Sequence, residues 1–189
     1  MVNSLLDALL PQECVLCALP AARSLPLCCT CMGLLQRNRH HCDLCALPLQ
    51  PGIPRCGACL STPPPFARTR APWLYEDYLA YIIGRWKYAG QRRLTPLLAD
   101  LWLEAAGLDG PMDLLVPVPL HWRRRWQRGF NQSELVCREL LALRAANTLA
   151  PALVRRRRPT RPQQGLRADE RRRNLRGAFT VSQPCDNLR

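Results

Sequence analysis

A mixed α/β protein led by a small metal-clamped module is the fold class the sequence predicts, on three observations. Eight of the eleven cysteines fall into four CxxC pairs within residues 14–59. A proline-rich stretch, Ser61-Thr62-Pro63-Pro64-Pro65, follows and reads as a stiff linker. Beyond it, strand-like apolar runs alternate with helical periodicities, the pattern of a parallel α/β sheet. The expected organisation is a cysteine module over residues 1–60, opened by a short helix, then a linker over 61–70 and an α/β domain over 71–189.

The cysteine module is a repeat. Its pairs are Cys14/Cys17, Cys28/Cys31, Cys42/Cys45 and Cys56/Cys59, with ten residues between the first and second and ten between the third and fourth. Each CxxC forms a knuckle, and two knuckles complete a tetrahedral four-thiolate site for Zn²⁺. Two structural zinc ions in tandem ribbons, paired in chain order, are expected; a cross-braced pairing has the same spacing. Four thiolates close the coordination sphere, which excludes a catalytic zinc. A disulfide framework fits less well, because no basic leader and apolar h-region open the chain and CxxC pairs suit metal. Cys28 is preferred to its neighbour Cys29 because it keeps the CxxC spacing. His40 and His41 read as surface residues, and Cys137 as part of a helix's apolar face.

Hydrophobic residues make up 48% of the 189, enough for a real core, and no apolar run approaches a membrane span. A cytoplasmic protein is expected. The net charge is +13 and is unevenly spread. Residues 1–60 carry four arginines against three acids, and residues 61–120 carry six basic residues against six acids. Residues 121–189 carry 17 arginines against five acids, or +12. Such a segment suits a polyanion: a sugar diphosphate, a nucleotide or nucleic acid. The cysteine module is only +1 and makes a weak phosphate-binding surface by itself.

In chain order, Ala71–Tyr75 is an edge-strand candidate. Glu76–Tyr88 is predicted helical, with Leu79, Ile82, Ile83 and Trp86 at helical spacing. Thr95-Pro96 supplies a cap and an N1 proline for the next helix, whose stripe is Leu97, Leu98, Leu101, Trp102 and Ala105, with Gly107 closing it. Residues 113–117 form the opening strand, ended by Pro117 and Pro119. A tryptophan-bracketed arginine loop follows. Asn131 caps a helix over Gln132–Ala145, and Glu134 completes a capping-box-like pair. Gly129 permits close backbone approach. This loop brings Arg128 and backbone N–H groups to a helix N-terminus, an arrangement suited to phosphate or pyrophosphate. Pro151–Arg155 is a short strand candidate, Ala168–Leu175 a short helix and Ala178–Val181 a returning strand.

The string VPVPLHW, continued after the arginines by RGFNQSE, resembles the signature of the ComF family, most closely its GntX-like bacterial members. The later segment, with Arg-x-x-Thr, Gln-x-Gly-Leu, Glu-Arg and Asn-Leu-x-Gly-Ala-Phe, is similar as well, except that Gln164 directly precedes Gly165. The resemblance implies a zinc module followed by a type I phosphoribosyltransferase-like parallel sheet. It implies pyrophosphate binding by Arg128, Gly129, Asn131 and Gln132, with Mg²⁺ accompanying a phosphoribosyl diphosphate or nucleotide-like ligand. It further implies a hood loop bearing Gln164, Arg171 and Asn174. Lys87 lies in a Lys-aromatic-x-Gly string like the family's and is a possible ligand contact. The family's link to DNA uptake and utilisation implies single-stranded DNA or the uptake machinery as partner.

One family motif is missing. The resemblance implies a strand ending in two acids followed by a Thr/Gly loop, which seats the ribose 5-phosphate. Asp186 stands alone, with no such loop after it. The α/β domain is therefore expected to be C-terminally incomplete, to lack a central strand and to be inactive as a transferase. No general acid or base is identifiable. Two functions remain: diphosphate-ligand handling, and a zinc-dependent nucleic-acid accessory role carried by the arginine-rich third.

Overall fold

The computed structural model describes residues 12–21, 25–106, 112–143, 146–163 and 165–182. The helix expected within residues 1–10, the closing Gly107 and the terminal Cys185 and Asp186 lie outside the described residues. The chain divides into two units, Met1–Leu108 and Asp109–Arg189. That division falls well beyond the proline-rich stretch, and residues 71–106 go with the cysteine module.

In the first unit the repeat is visible bond by bond, at an offset of 28 residues. The Cys14 N–H donates to Leu19 and the Cys42 N–H to Leu47, at 2.8 and 2.9 Å. Val15 donates to Pro26 and Asp43 to Pro54, both at 2.9 Å. Ala18 and Ala46 return their N–H groups to Cys14 and Cys42, and both sit at φ 59°. Each ribbon ends in a short helix that carries the second cysteine of its last CxxC, the first standing at the N-cap: α1 (Cys29–Met32) and α2 (Gly57–Ser61).

The Ala71–Tyr75 segment does pair, but with the ribbons. Asn38 donates to Pro72 and Leu74 to Gln36, each at 2.9 Å, around an antiparallel bridge between Arg37 and Trp73. The buried Asn38 side chain adds bonds from Nδ2 to the carbonyls of Ala46 (2.9 Å) and Ala71 (3.0 Å), tying this strap to the second ribbon. Two helices follow, α3 (Asp77–Tyr88) and α4 (Thr95–Ala106), joined by a 3₁₀ turn over Arg92–Leu94. Both helices pack against this turn, and Ile82, Leu94, Leu97 and Leu101 are almost wholly buried. Thr95 does not act as the expected cap. Its hydroxyl donates to the Arg92 carbonyl at 2.7 Å and accepts the Trp86 indole N–H at 3.0 Å, because the preceding 3₁₀ turn already supplies helical entry. Two more indoles hold the strap to α4: Trp73 donates to the Leu101 carbonyl and Trp102 to that of Arg70.

The second unit opens with β1 (Met112–Leu115), then α5 (Trp122–Arg128), α6 (Gln132–Ala142) and β2 (Ala146–Leu149). β1 and β2 pair in parallel, with Met112 opposite Ala146 and Leu115 opposite Leu149. The strand expected at Pro151–Arg155 is displaced. Pro151 lies in a turn between β2 and β3 (Val154–Arg156), and β3 pairs antiparallel with β4 (Phe179–Val181). Between them lies α7 (Ala168–Leu175), where the sequence placed it. Among the described residues the parallel pairing is this single β1–β2 ladder. The unit thus has mixed helix and strand content, and β1 ends two residues before Pro117.

Candidate metal centres and arginine-rich surface

The knuckles gather the thiols in chain order. Cys14, Cys17, Cys28 and Cys31 form one tetrad and Cys42, Cys45, Cys56 and Cys59 the other, each with all Sγ atoms within 4.8 Å of one another. A tetrahedron with zinc–sulfur bonds of about 2.3 Å has edges of about 3.8 Å. Cys17 to Cys28 measures 3.8 Å and Cys45 to Cys56 measures 3.7 Å. Two tetrads of this donor set and size fit two structural zinc ions. Cys29 stays exposed outside the first tetrad. His40 is exposed, and His41 uses Nδ1 against the Asn38 carbonyl at 2.8 Å.

Electrostatics favour a cation in each tetrad. Burial resists ionisation of Cys14, but the backbone N–H groups of Cys28, Cys17 and Leu16 together outweigh it and bring the thiol down to about 6. In the second tetrad the N–H groups of Cys45 and Cys56 outweigh burial and hold Cys42 at about 6. The last thiol of each set moves the other way. Burial and the neighbouring cysteines push Cys31 up, and they push Cys59 up to about 12. Only a cation allows all four sulfurs to ionise together. The second tetrad is the drier: Cys42, Cys56 and Cys59 form a buried cluster against Leu44 and Leu49.

The stretch expected to be an arginine loop contains a helix. α5 begins at Trp122 behind His121, whose Nδ1 accepts the Arg123 N–H at 3.4 Å. It ends at Gly129, in the left-handed conformation at φ 74°, whose N–H returns to Arg125 at 2.8 Å. Gly129 is thus a helix C-cap, the role its freedom at positive φ serves best. Asn131 caps α6: its Oδ1 accepts the Ser133 N–H at 3.2 Å, and its Nδ2 donates to the Val118 carbonyl at 3.1 Å. Glu134 forms no capping box. Its carboxylate instead faces Arg138 at 2.8 Å and Arg125 at 3.8 Å. Gln132 is buried. Its Oε1 accepts from Arg128 at 3.4 Å, and its Nε2 has no partner. Cys137, half-buried on α6, has its thiol pushed up by burial and then by Glu134.

Lys87 belongs to the last turn of α3, in the other unit. Gln164 lies outside the described residues. Arg171 Nε donates to the Gln163 carbonyl at 3.2 Å, and Asn174 clamps Arg161 twice, accepting its N–H at 3.2 Å and donating to its carbonyl at 3.0 Å. Both therefore hold their own loop together.

The four consecutive arginines do not form one strip. Arg156 turns inward over Phe179, 5.3 Å from the ring centroid, and bonds the Thr160 hydroxyl. Burial, then Arg124 and Arg158, lower its pKa. Arg158 caps the end of α7 through the carbonyls of Arg176 (2.6 Å) and Asn174 (3.2 Å). Arg155 and Arg157 remain exposed. Two features escaped the sequence reading. Trp122 and Trp126 stand exposed on α5. In the first unit, a cavity of about 450 Å³ lies between the second ribbon and the strap, lined by His41, Asp43, Arg55, Arg68 and Arg70 among others. The aromatic pair could have been found from its i, i+4 spacing; the cavity had no signal in the sequence.

Comparison with known proteins agrees with the cysteine geometry. Residues 5–60 match the double zinc ribbon domain family. The DNA utilization protein YhgH of Salmonella typhimurium is 35% identical over 190 residues, covering 94% of this chain and 81% of the relative. The chain is a GntX-like member of the ComF family. The DNA utilization protein YhgH of Escherichia coli K12 is 34% identical to it, with 92% of this chain and 79% of the relative covered. Another ComF-type relative, Competence protein F of Haemophilus influenzae, is 33% identical over 118 residues, 57% of this chain and 49% of the relative. No solved structure matches the chain. No helix among the described residues is long and apolar enough to cross a membrane.

Proposed function

We propose that this ComF-family chain is a nucleic-acid-handling protein in DNA utilisation, with a zinc-clamped N-terminal unit and a C-terminal unit that grips phosphate. The observation that carries this reading is the charge of +12 on residues 121–189, against +1 on residues 1–60 and zero on 61–120. Arg123, Arg125, Arg155, Arg157, Arg172 and Arg173 are among the exposed arginines of that unit. A polyanion gains from releasing its counterions against such a surface. The names of the relatives, DNA utilization and competence, support the same direction. The test is binding of labelled DNA by the zinc-loaded chain at rising salt. A log–log slope of about −3 or steeper is expected, the response of four or more neutralised phosphates on a single strand. No binding even at low salt sinks the reading.

A second reading has its own observation. The buried Gln132 Nε2 has no partner, and it sits in the first turn of α6 beside Arg128. An anion oxygen placed there satisfies it, and the helix N-terminus favours negative charge. Arg128, Gly129, Asn131 and Gln132 would then hold the diphosphate of a phosphoribosyl-type ligand, and Mg²⁺ would help neutralise its charge. Calorimetry with phosphoribosyl diphosphate, with and without Mg²⁺, tests it. Mg²⁺-dependent heat lost in Arg128→Ala supports the reading, and its absence in the wild-type chain removes it.

A further inference from the structure

α5 exposes what proteins of this size ordinarily bury. Trp126 is 86% exposed and Trp122 67%, and no residue of the helix is buried. Large exposed aromatic area of this kind marks a contact surface. The two tryptophans stand four positions apart, so both leave one face of the helix, about 6 Å apart along its axis. The platform is held from both ends. Gly129 closes the C-terminal turn, and Arg124 Nη2 donates to the Thr160 carbonyl at 3.0 Å. Cations frame the rings: the Arg123 guanidinium carbon lies 5.2 Å from the Trp122 ring centroid, and exposed Arg125 precedes Trp126, with Glu134 3.8 Å away.

Charge decides the occupant. A second copy of the chain brings its own strongly basic unit to the same place and is repelled. An apolar protein face leaves the flanking guanidiniums without counterpart. A nucleic-acid strand supplies both halves of the chemistry, flat bases for the indoles and phosphates for the arginines. A duplex keeps its base faces stacked inside and offers the rings nothing. We infer that Trp122 and Trp126 form a stacking platform for the bases of a single strand, with Arg123 and Arg125 on its flanking phosphates. This rests on the nucleic-acid reading above and deepens it from polyanion to strand form.

The experiment compares anisotropy of a labelled oligo-dT and a labelled duplex of equal length, using the full zinc-loaded chain and W122A/W126A. Neither ring supports a core, and circular dichroism with zinc content verifies the fold of the variant. The variant should lose about thirtyfold or more in single-strand affinity, from about 1 kcal/mol or more per stacked base, while duplex binding stays within about twofold. W122F/W126F should recover most of the loss. Unchanged single-strand binding by W122A/W126A overturns the platform and leaves the phosphate-gripping reading intact. Equal loss on both DNA forms also overturns it, as does a change of oligomeric state by light scattering without a change in single-strand affinity. A wild-type chain that binds neither DNA defeats the underlying reading instead.

Discussion

The two units solve opposite problems. The first carries only +3 over residues 1–108 and spends its polar groups inward, on thiol tetrads and on bonds such as Asn38 to Ala46 and Ala71. The second carries +10 over residues 109–189 and presents most of its arginines outward, with two exposed tryptophans among them. The difference teaches where to look for each property. Fold stability in this family member concentrates at the metal tetrads, and on the function proposed above recognition concentrates beyond residue 121.

Metal removal should break the comparison most strongly. Four-thiolate zinc sites supply on the order of 10 kcal/mol or more each to folding, because the unfolded chain has no preformed site. Stripping both ions with a strong chelator should unfold the ribbons and release two zinc per chain, while the circular dichroism of the second unit's helices persists. Hydrogen exchange read peptide by peptide checks this. Equal deprotection of residues 112–182 would show that the units do not differ as argued. Cys42→Ser should cost more than Cys17→Ser, since Cys42 is fully buried and Cys17 exposed.

Asn38→Ala is the next largest. Its amide bridges the carbonyls of Ala46 and Ala71 in a buried position, and removing it leaves both acceptors short of a donor. A loss of about 2–3 kcal/mol is expected, read as a lower chemical-denaturation midpoint of the zinc-loaded chain. DNA binding should hardly move. If it falls in parallel with stability, recognition is not confined to the second unit.

Much of the first unit was legible in the sequence, because thiol spacing constrains geometry directly. Spacing left the pairing of knuckles open, and the sulfur positions select chain order. The attachment of α4 to the strap was not legible. It runs through backbone carbonyls accepting from Trp73 and Trp102, and a carbonyl carries no residue signature. In the second unit α7 and β4 were readable from their patterns. β2 was missed because Ala146-Asn147-Thr148-Leu149 is short and centred on polar residues, whereas Ala152-Leu153-Val154 looks more strand-like. α5 was hidden by its composition, since arginines beside tryptophans after a proline read as loop. The bonds of Arg171 and Asn174 were not legible either, because they run to carbonyls of their own loop backbone.

The smallest prediction compares the two ribbons with each other. Ala18 and Ala46 share one backbone geometry, φ 59° with a hydrogen bond back to the first cysteine of the knuckle. An L residue in the left-handed region costs about 1–2 kcal/mol, which glycine avoids, less about 0.5–1 kcal/mol for its greater freedom when unfolded. Ala18 is exposed, so Ala18→Gly should be neutral to stabilising by up to about 1 kcal/mol. Ala46 is 4% exposed, and deleting its methyl group forfeits about 0.8 kcal/mol of burial. Ala46→Gly should therefore fall below Ala18→Gly by about that amount in thermal unfolding of the zinc-loaded chain. Identical shifts would mean that the two ribbons are equivalent in energy as well as in backbone, and that the drier environment of the second tetrad contributes nothing at this position.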